Sequence, residues 1–448
     1  MNEYDVIVIG GGAAGMFAAV QAGYAGARVL LLEPNERLGK KLYITGKGRC
    51  NLTNNCSWQE VLKNVPTNPR FLYSALSGFT PEDTISFFES HGCETKTERG
   101  NRVFPVSDKS ASVVDALKTA LGYAGVEIRR ARAKELLVEN GHISGVRTDR
   151  GDYFAPAVIL ATGGKSYPAT GSTGDGCRMA QALGHSIVPP VGSLVPLVEE
   201  GDCCAKMQGL ALRNISIRLY ECTDGATGNR QQATDPDCHS ERSEESVSPS
   251  SVPCATHAKP VFEEFGELLF THFGLSGPVI LSASAHMEAG KAYTVEIDLK
   301  PALDEATLDA RILRDFAAAK NRSFENALSG LYPKTLIPVM VARSGIPGDT
   351  KVNAVTREQR RALLELTKHF TVAIRGKRPV EEAIVTSGGV SVKEIDPKTM
   401  ESKLVPGLYF AGEVMDVDAY TGGFNLQIAW STGYAAAQAA VKGTGNKE

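Results

Sequence analysis

The run VIVIGGGAAG at residues 6–15 constrains this chain more than any other stretch. Its β-branched residues favour a buried strand, and the glycines that follow open a small-residue segment, MFAAVQAGYAG, with the texture of a helix. A second apolar run, RVLLLE, ends on an acid, Glu33. The three pieces form a βαβ unit. Gly10, Gly12 and Gly15, with Ala14 among them, let backbone N–H groups and a helix N-terminus approach a diphosphate, and the carboxylate of Glu33 is placed to accept hydrogen bonds from ribose hydroxyls. A glycine-rich turn in an unrelated α/β protein would explain the glycines alone, but not the strand before them, the helix after them and the acid beyond.

A chain of 448 residues has room for two or three domains of about 100–200 residues each. Lys and Arg number 48 against 51 Asp and Glu, a formal charge of −3, which argues against a nucleic-acid carpet or a membrane-surface protein. The expected partner is a small-molecule substrate, with no nucleic acid and no membrane. The N-terminal residues have no basic region or small-residue cleavage site, and no stretch reaches the ~18 apolar residues of a membrane span. The expected location is therefore cytoplasmic. Nine cysteines, scattered and without a Cys-x-x-Cys pair, suit reduced thiols better than a disulfide framework.

Helical periodicity is expected at 81–91 and 108–124, with Ser107 or Asp108 as a cap, and 127–164 reads as hairpins returning to a buried strand, AVILATG. From about 193, SLVPLVEE, LRNISIRLYE and KAYTVEIDL suggest antiparallel strands. DEATLDARILRDFAAAK, PKTLIPVMVARSG and TREQRRALLELTKHF then suggest helices, so a separate domain is the simplest account. Residues 223–259, rich in Ser, Thr, Pro and charge, read as a flexible excursion between two strands. The spacing of Cys238, His239, Cys254 and His257 within it does not suit structural zinc, and no metal site is expected. Dinucleotide-domain texture returns near 380.

FAD and NAD share the N-terminal fingerprint, so the discriminating feature lies at the far end, in GLYFAGEVMDVDAYTGGFNLQIAWSTG (407–433). A strand delivers Gly412 and Glu413, and a turn through Gly422 and Gly423 enters a helix at Asn425 and Leu426. This resembles the second FAD-binding signature of flavoproteins with two dinucleotide-binding domains, in which the acid holds the ribityl chain or diphosphate and the helix N-terminus faces the flavin. Thr162 and Gly163 match the Ala-Thr-Gly strand end of the same proteins. Between these motifs stands ITGKGRCNLTN (44–54). A redox-disulfide reading of Cys50 and Cys56 fails on spacing, with five intervening residues and an Asn-rich sequence where a helix is needed. The remaining reading is a loop under the cofactor. Gly46 and Gly48 allow close approach, Lys40, Lys41 and Arg49 neutralise phosphate, Asn51 and Thr53 face the flavin edge, and Cys50 packs.

These segments, with NRVFPVSDKSASVVDAL (101–117), GSTGDGCRMAQALGH (171–185), ELLFTHFGLSGPVIL (267–281) and the run 383–433, resemble the bacterial BaiN-like flavoproteins, also described as the aminoacetone oxidase family. The resemblance implies an α/β fold, a Rossmann-like FAD-binding domain (1–192 and 379–448) interrupted by an insert. The insert has a β-barrel-like part (193–300 and 370–378) and a helical part (301–369). It implies FAD, with NAD(P)H as a possible transient reductant, and splits on chemistry: reduction of the conjugated double bonds of a 3-oxo-Δ4,6 bile-acid-like enone, or oxidation of a small aminoketone by O2. An RNA-linked or a non-catalytic flavin-binding protein is the alternative of another class. His272 is the first candidate proton donor and Tyr420 the second, and Arg102 is a candidate anchor for a substrate carboxylate.

Overall fold

The computed structural model describes residues 4–222, 259–288 and 290–445. These form two compact units, Met1–Val195 with Arg378–Glu448, and Pro196–Lys377.

In the first unit, Val6–Ile9 (β1) is the central strand of a five-stranded sheet. Val29–Leu32 (β2) and Glu127–Arg129 (β3) lie to one side, and Ala157–Leu160 (β4) and Leu408–Phe410 (β5) to the other. Every pairing is parallel, with Val6 opposite both Val29 and Ala157. Strands covered on both faces must be apolar throughout, and all four residues of β1, β2 and β4 are buried. Ala13–Tyr24 (α1) crosses between β1 and β2. The last helix, Phe424–Gly445 (α2), packs along it. Small residues set the closeness of these contacts. A Cβ on Gly15 would sit 1.8 Å from the Gly10 carbonyl oxygen, and one on Gly433 would sit 2.9 Å from the Ala14 carbonyl oxygen. The third fingerprint glycine therefore seats the helix on its own strand. A two-stranded antiparallel sheet of Ile187–Ser193 and Val385–Val390 is added to this unit.

In the second unit, six strands close into an antiparallel barrel, ordered Leu197–Glu199, Gly274–Ser276, Phe262–Thr271, Ala211–Cys222, Ala292–Asp298 and Phe370–Lys377. Its core continues under Glu305–Ala318, Ile337–Ser344 and Arg357–Lys368, helices found where the apolar periodicity put them. Asp304 caps the first through the Thr307 N–H at 2.7 Å, and Thr356 with Gln359 forms a capping box on the last.

One local expectation is overturned. The helix Ser110–Tyr123 has Lys109 at its N-cap, with no side-chain capping bond, and neither Ser107 nor Asp108 serves. Asp108 instead accepts from Arg49 at 2.8 Å and Lys96 at 2.6 Å, partners remote in sequence that outcompete a local cap. Apart from Lys259, the expected excursion 223–259, with its four Cys and His, lies outside the described residues. No helix among the described residues is long and apolar enough to cross a membrane.

Gly15→Ala should lower the denaturant midpoint by the equivalent of about 2 kcal/mol or more, because backbone must move to admit the methyl group. Gly122→Ala, in the helix Ser110–Tyr123 with nothing within 4 Å of the added Cβ, should leave it unchanged or raise it by under about 1 kcal/mol.

Candidate functional site

The carboxyl ends of β1, β2, β4 and β5 open on one cleft, as expected of an open parallel sheet at its switch in strand order. Gly10, Gly12, Ala14, Glu33, Lys40, Lys41, Gly46, Asn51, Thr162, Gly163, Gly412, Glu413, Tyr420, Gly422, Gly423, Asn425 and Leu426 all line it. The structure thus brings together segments from both ends of the chain. Gly15, Gly48 and Arg49 do not line it.

At one end, Glu33 is nearly buried and its carboxylate is fixed by the glycine turn: Oε2 accepts the Gly11 N–H at 2.7 Å, and Oε1 accepts both the N–H and the amide of Asn35, at 2.8 and 2.7 Å. Asn35 Nδ2 also donates to the Thr170 carbonyl at 3.1 Å, tying this corner to the turn that follows β4. Among the described residues Lys40 donates to neutral oxygens, Asn35 Oδ1 at 3.2 Å and the Ala169 carbonyl at 3.4 Å, so its charge can still face an anion.

Lys41 differs from expectation. Its ammonium is held by Glu413 at 2.7 Å and Ser166 Oγ at 2.5 Å, so its charge is directed at the acid of the C-terminal signature rather than at phosphate. Glu413 accepts in addition the Thr386 N–H at 2.7 Å and Ser166 Oγ at 3.1 Å. Ser166, Thr386 and Asn35 escaped the sequence reading. Short polar residues give no periodic signal.

The loop 44–54 is built on left-handed backbone at Gly46, Lys47, Gly48 and Cys50, with φ of 61° at Cys50. That turn separates neighbouring side chains: Cys50 is fully buried in the core, while Asn51 lines the cleft. Burial drives the Cys50 thiol far above its ordinary range, and that of Cys56 up to about 11, the reverse of what a redox thiolate needs. Arg49 turns away from the cleft to bridge Glu98 and Asp108, its guanidinium 4.1 Å from the centre of the Phe104 ring. Thr53 is fully buried, with its hydroxyl on Gln427 rather than at the cleft. Arg102 lies in a small antiparallel sheet of Thr53–Asn54, Thr95–Glu98 and Arg102–Pro105, donates to the Arg99 carbonyl at 3.0 Å in the turn between two of its strands, and is not part of the cleft lining.

At the far end Tyr420, half-buried, precedes the Gly422-Gly423 turn into α2. Asn425 staples that turn by accepting the Ala419 N–H at 2.9 Å and donating to the Ala419 carbonyl at 2.6 Å. Gly423 is required here twice over: its φ is 98°, and a Cβ would meet the Thr53 carbonyl oxygen at 2.3 Å. His272 belongs to the second unit. It is exposed, with its ring 4.9 Å from that of Phe273, and it is not among the groups that the cleft's own unit supplies.

The cleft fits a flavin dinucleotide on two independent counts. Its glycine backbone leaves room for close approach at the start of two helices. In addition, Asn51 Oδ1 and Thr162 Oγ1, both in the lining, are buried with no partner among the described residues, and such atoms ask for hydrogen bonds from a bound group. Among the described residues no cluster of His, Cys, Asp and Glu is arranged to hold a metal.

The sequence profile described as HI0933-like protein Rossmann domain matches residues 4–439. The chain is 31% identical to a 3-dehydro-bile acid delta(4,6)-reductase of Clostridium scindens, over 97% of this chain and 98% of the relative. It is 32% identical to a ribosomal RNA dihydrouridine synthase of Escherichia coli, over 98% of each. A protein of the latter description from Haemophilus influenzae is 29% identical over 98% of each.

Hydrogen bonds from Arg49 hold the Glu98 carboxyl below its ordinary value of 4.5, and those from Lys96 and Arg49 hold Asp108 below 3.8. Depressed carboxyl values contribute stability that is complete above pH 4.5 and fades as the pH falls through the lowered values. Arg49→Ala should therefore flatten the acid limb of a midpoint-against-pH curve, while FAD affinity changes by no more than about threefold. Cys50→Ala should lose about 1–2 kcal/mol of stability to the small cavity yet retain bound FAD and turnover. A loaded but inactive variant would restore the redox reading.

Proposed function

The chain belongs to the HI0933-like Rossmann family and is a flavin-dependent oxidoreductase that uses FAD, and on that premise we propose that it reduces a carbon–carbon double bond conjugated to a carbonyl group. The observation that carries this reading is chemical. Two relatives that align with nearly the whole chain bear names describing different molecules and one bond type. The Δ4 and Δ6 bonds of a 3-oxo steroid acid are conjugated to its ketone, and dihydrouridine is uridine with the double bond next to its C4 carbonyl saturated. The finer assignment proposed here is a BaiN-like reductase of a bile-acid-like enone, with NAD(P)H as the electron source.

Bound FAD supplies hydride chemistry, and the chain supplies position, charge and protons. Glu33, locked by Gly11 and Asn35, receives the adenosine ribose, and the N–H groups at the start of α1 with Lys40 receive the diphosphate. Glu413 takes the ribityl hydroxyls, its charge balanced by Lys41. The N-terminus of α2 behind Gly422 and Gly423 favours negative charge at the pyrimidine edge. Tyr420 would hold a proton at its hydroxyl for the α-carbon of the substrate. His272, the first candidate by sequence, belongs to the second unit, and the proton is assigned here to Tyr420 of the cleft's own unit.

A second reading keeps the reaction and changes the substrate to a uridine of ribosomal RNA, favoured by the relative from Escherichia coli. The net charge of −3 supports the small-molecule reading, since phosphate contacts need Lys and Arg.

The test is anaerobic stopped-flow spectroscopy of holoprotein. NADPH or NADH should bleach the flavin, and a 3-oxo-Δ4,6 steroid acid should restore its colour faster than a saturated analogue. Restoration by unmodified ribosomal RNA alone would move the assignment to the second reading. Bleaching by aminoacetone, with no response to either unsaturated acceptor, would overturn the reductase reading.

A further inference from the structure

Gln427 is fully buried in the first turn of α2, and its amide uses its whole hydrogen-bonding capacity. Oε1 accepts from Thr53 Oγ1 at 2.6 Å and Thr84 Oγ1 at 2.8 Å. Nε2 donates to the Phe79 carbonyl at 3.1 Å and to Ser431 Oγ at 3.0 Å. Ser431 closes the ring by donating to the same Phe79 carbonyl at 2.6 Å. A buried amide satisfied on every side holds one orientation, because rotating it exchanges donors for acceptors and leaves buried groups unpaired.

The partner that matters lies in the loop 44–54. Thr53 is two residues from Asn51, the residue whose orphan Oδ1 is in the cleft lining. The intervening Leu52 is held by its N–H on the Val103 carbonyl at 3.0 Å and by Trp430 Nε1 on its own carbonyl at 2.9 Å. Two side chains of one helix, Gln427 and Trp430, therefore fix the height of residues 51–53 against the turn at Gly422 and Gly423. Only Leu52 separates Asn51 from Thr53, so Thr53 anchored to the helix and Leu52 held at both its N–H and its carbonyl leave little freedom for Asn51.

We infer that Gln427 is a positioning residue for the flavin: through Thr53 it sets where Asn51 Oδ1 meets the flavin edge, and so it tunes cofactor affinity and midpoint potential without touching the cofactor. This rests on the FAD cleft and is independent of the substrate.

The experiment compares Gln427→Met, Thr53→Val and Thr84→Val for FAD dissociation constant, visible flavin spectrum, midpoint potential by dye equilibration, and thermal midpoint of the apoprotein. Thr53→Val and Gln427→Met should weaken FAD binding about tenfold and shift the spectrum and potential, since a hydrogen bond to a buried group is lost at the cofactor. Thr84→Val removes the other donor to the same Oε1, which comes from the helix Pro81–Ser90 and not from the loop. It should cost comparable thermal stability and leave the spectrum, potential and affinity unchanged. If Gln427→Met does not fold, Thr53→Val decides alone. The inference is overturned if Thr53→Val keeps the parent's affinity, spectrum and potential, or if Thr84→Val shifts them equally, because the network would then be purely structural.

Discussion

The hard contact between the backbone of Gly423 and the carbonyl of Thr53 is the constraint on which the cleft depends. It joins a loop just after the second strand of the sheet to a turn near the end of the chain. Any side chain larger than hydrogen at Gly423 would hold the two apart. Around it the neighbouring groups fall into place: Asn54 donates to the Gly422 carbonyl at 3.0 Å, Trp430 to the Leu52 carbonyl, and Gln427 accepts from Thr53. The parallel sheet makes this contact possible, because β5 delivers the C-terminal segment to the same carboxyl end of the sheet as the glycine turn.

Charge in the cleft is arranged to be used and not merely gathered. Glu33 is oriented by neutral donors and stays available to hydroxyl groups. Lys40 rests on neutral acceptors. Lys41 and Glu413 compensate one another across the cleft, which allows a carboxylate to face a dinucleotide that already bears phosphate charge. Arg49, the most conspicuous cation of the loop in the sequence, does structural work. It pins the loop to the small sheet through Glu98, Asp108 and the face of Phe104.

What could be read in the sequence follows from the range of the interactions involved. The βαβ unit, the helices of the second unit and the glycine-containing turns of both signatures were legible because their patterns lie within short runs of sequence. The partners of charged side chains were not. Lys41 and Glu413 are 372 positions apart, and Arg49 and Asp108 59 apart. A local pattern shows that a cation has reach but not which anion it meets. For the same reason Asp108 looked like a cap, Thr53 looked like a cofactor contact, and Ser166, Thr386 and Asn35 gave no signal. Gly15 was legible as part of a motif, but its role in seating α1 on β1 emerges only from the distance to the Gly10 carbonyl.

The most direct test of the central claim is a single-turnover product analysis. Anaerobically reduced holoprotein is mixed with one equivalent of a 3-oxo-Δ4,6 steroid acid, and the acceptor is followed by mass spectrometry alongside the flavin absorbance. Reduction of an activated double bond at this cleft predicts that the acceptor gains one pair of hydrogen atoms for each flavin reoxidised. An acceptor of unchanged mass, with flavin that recovers its colour only when O2 is admitted, would contradict it.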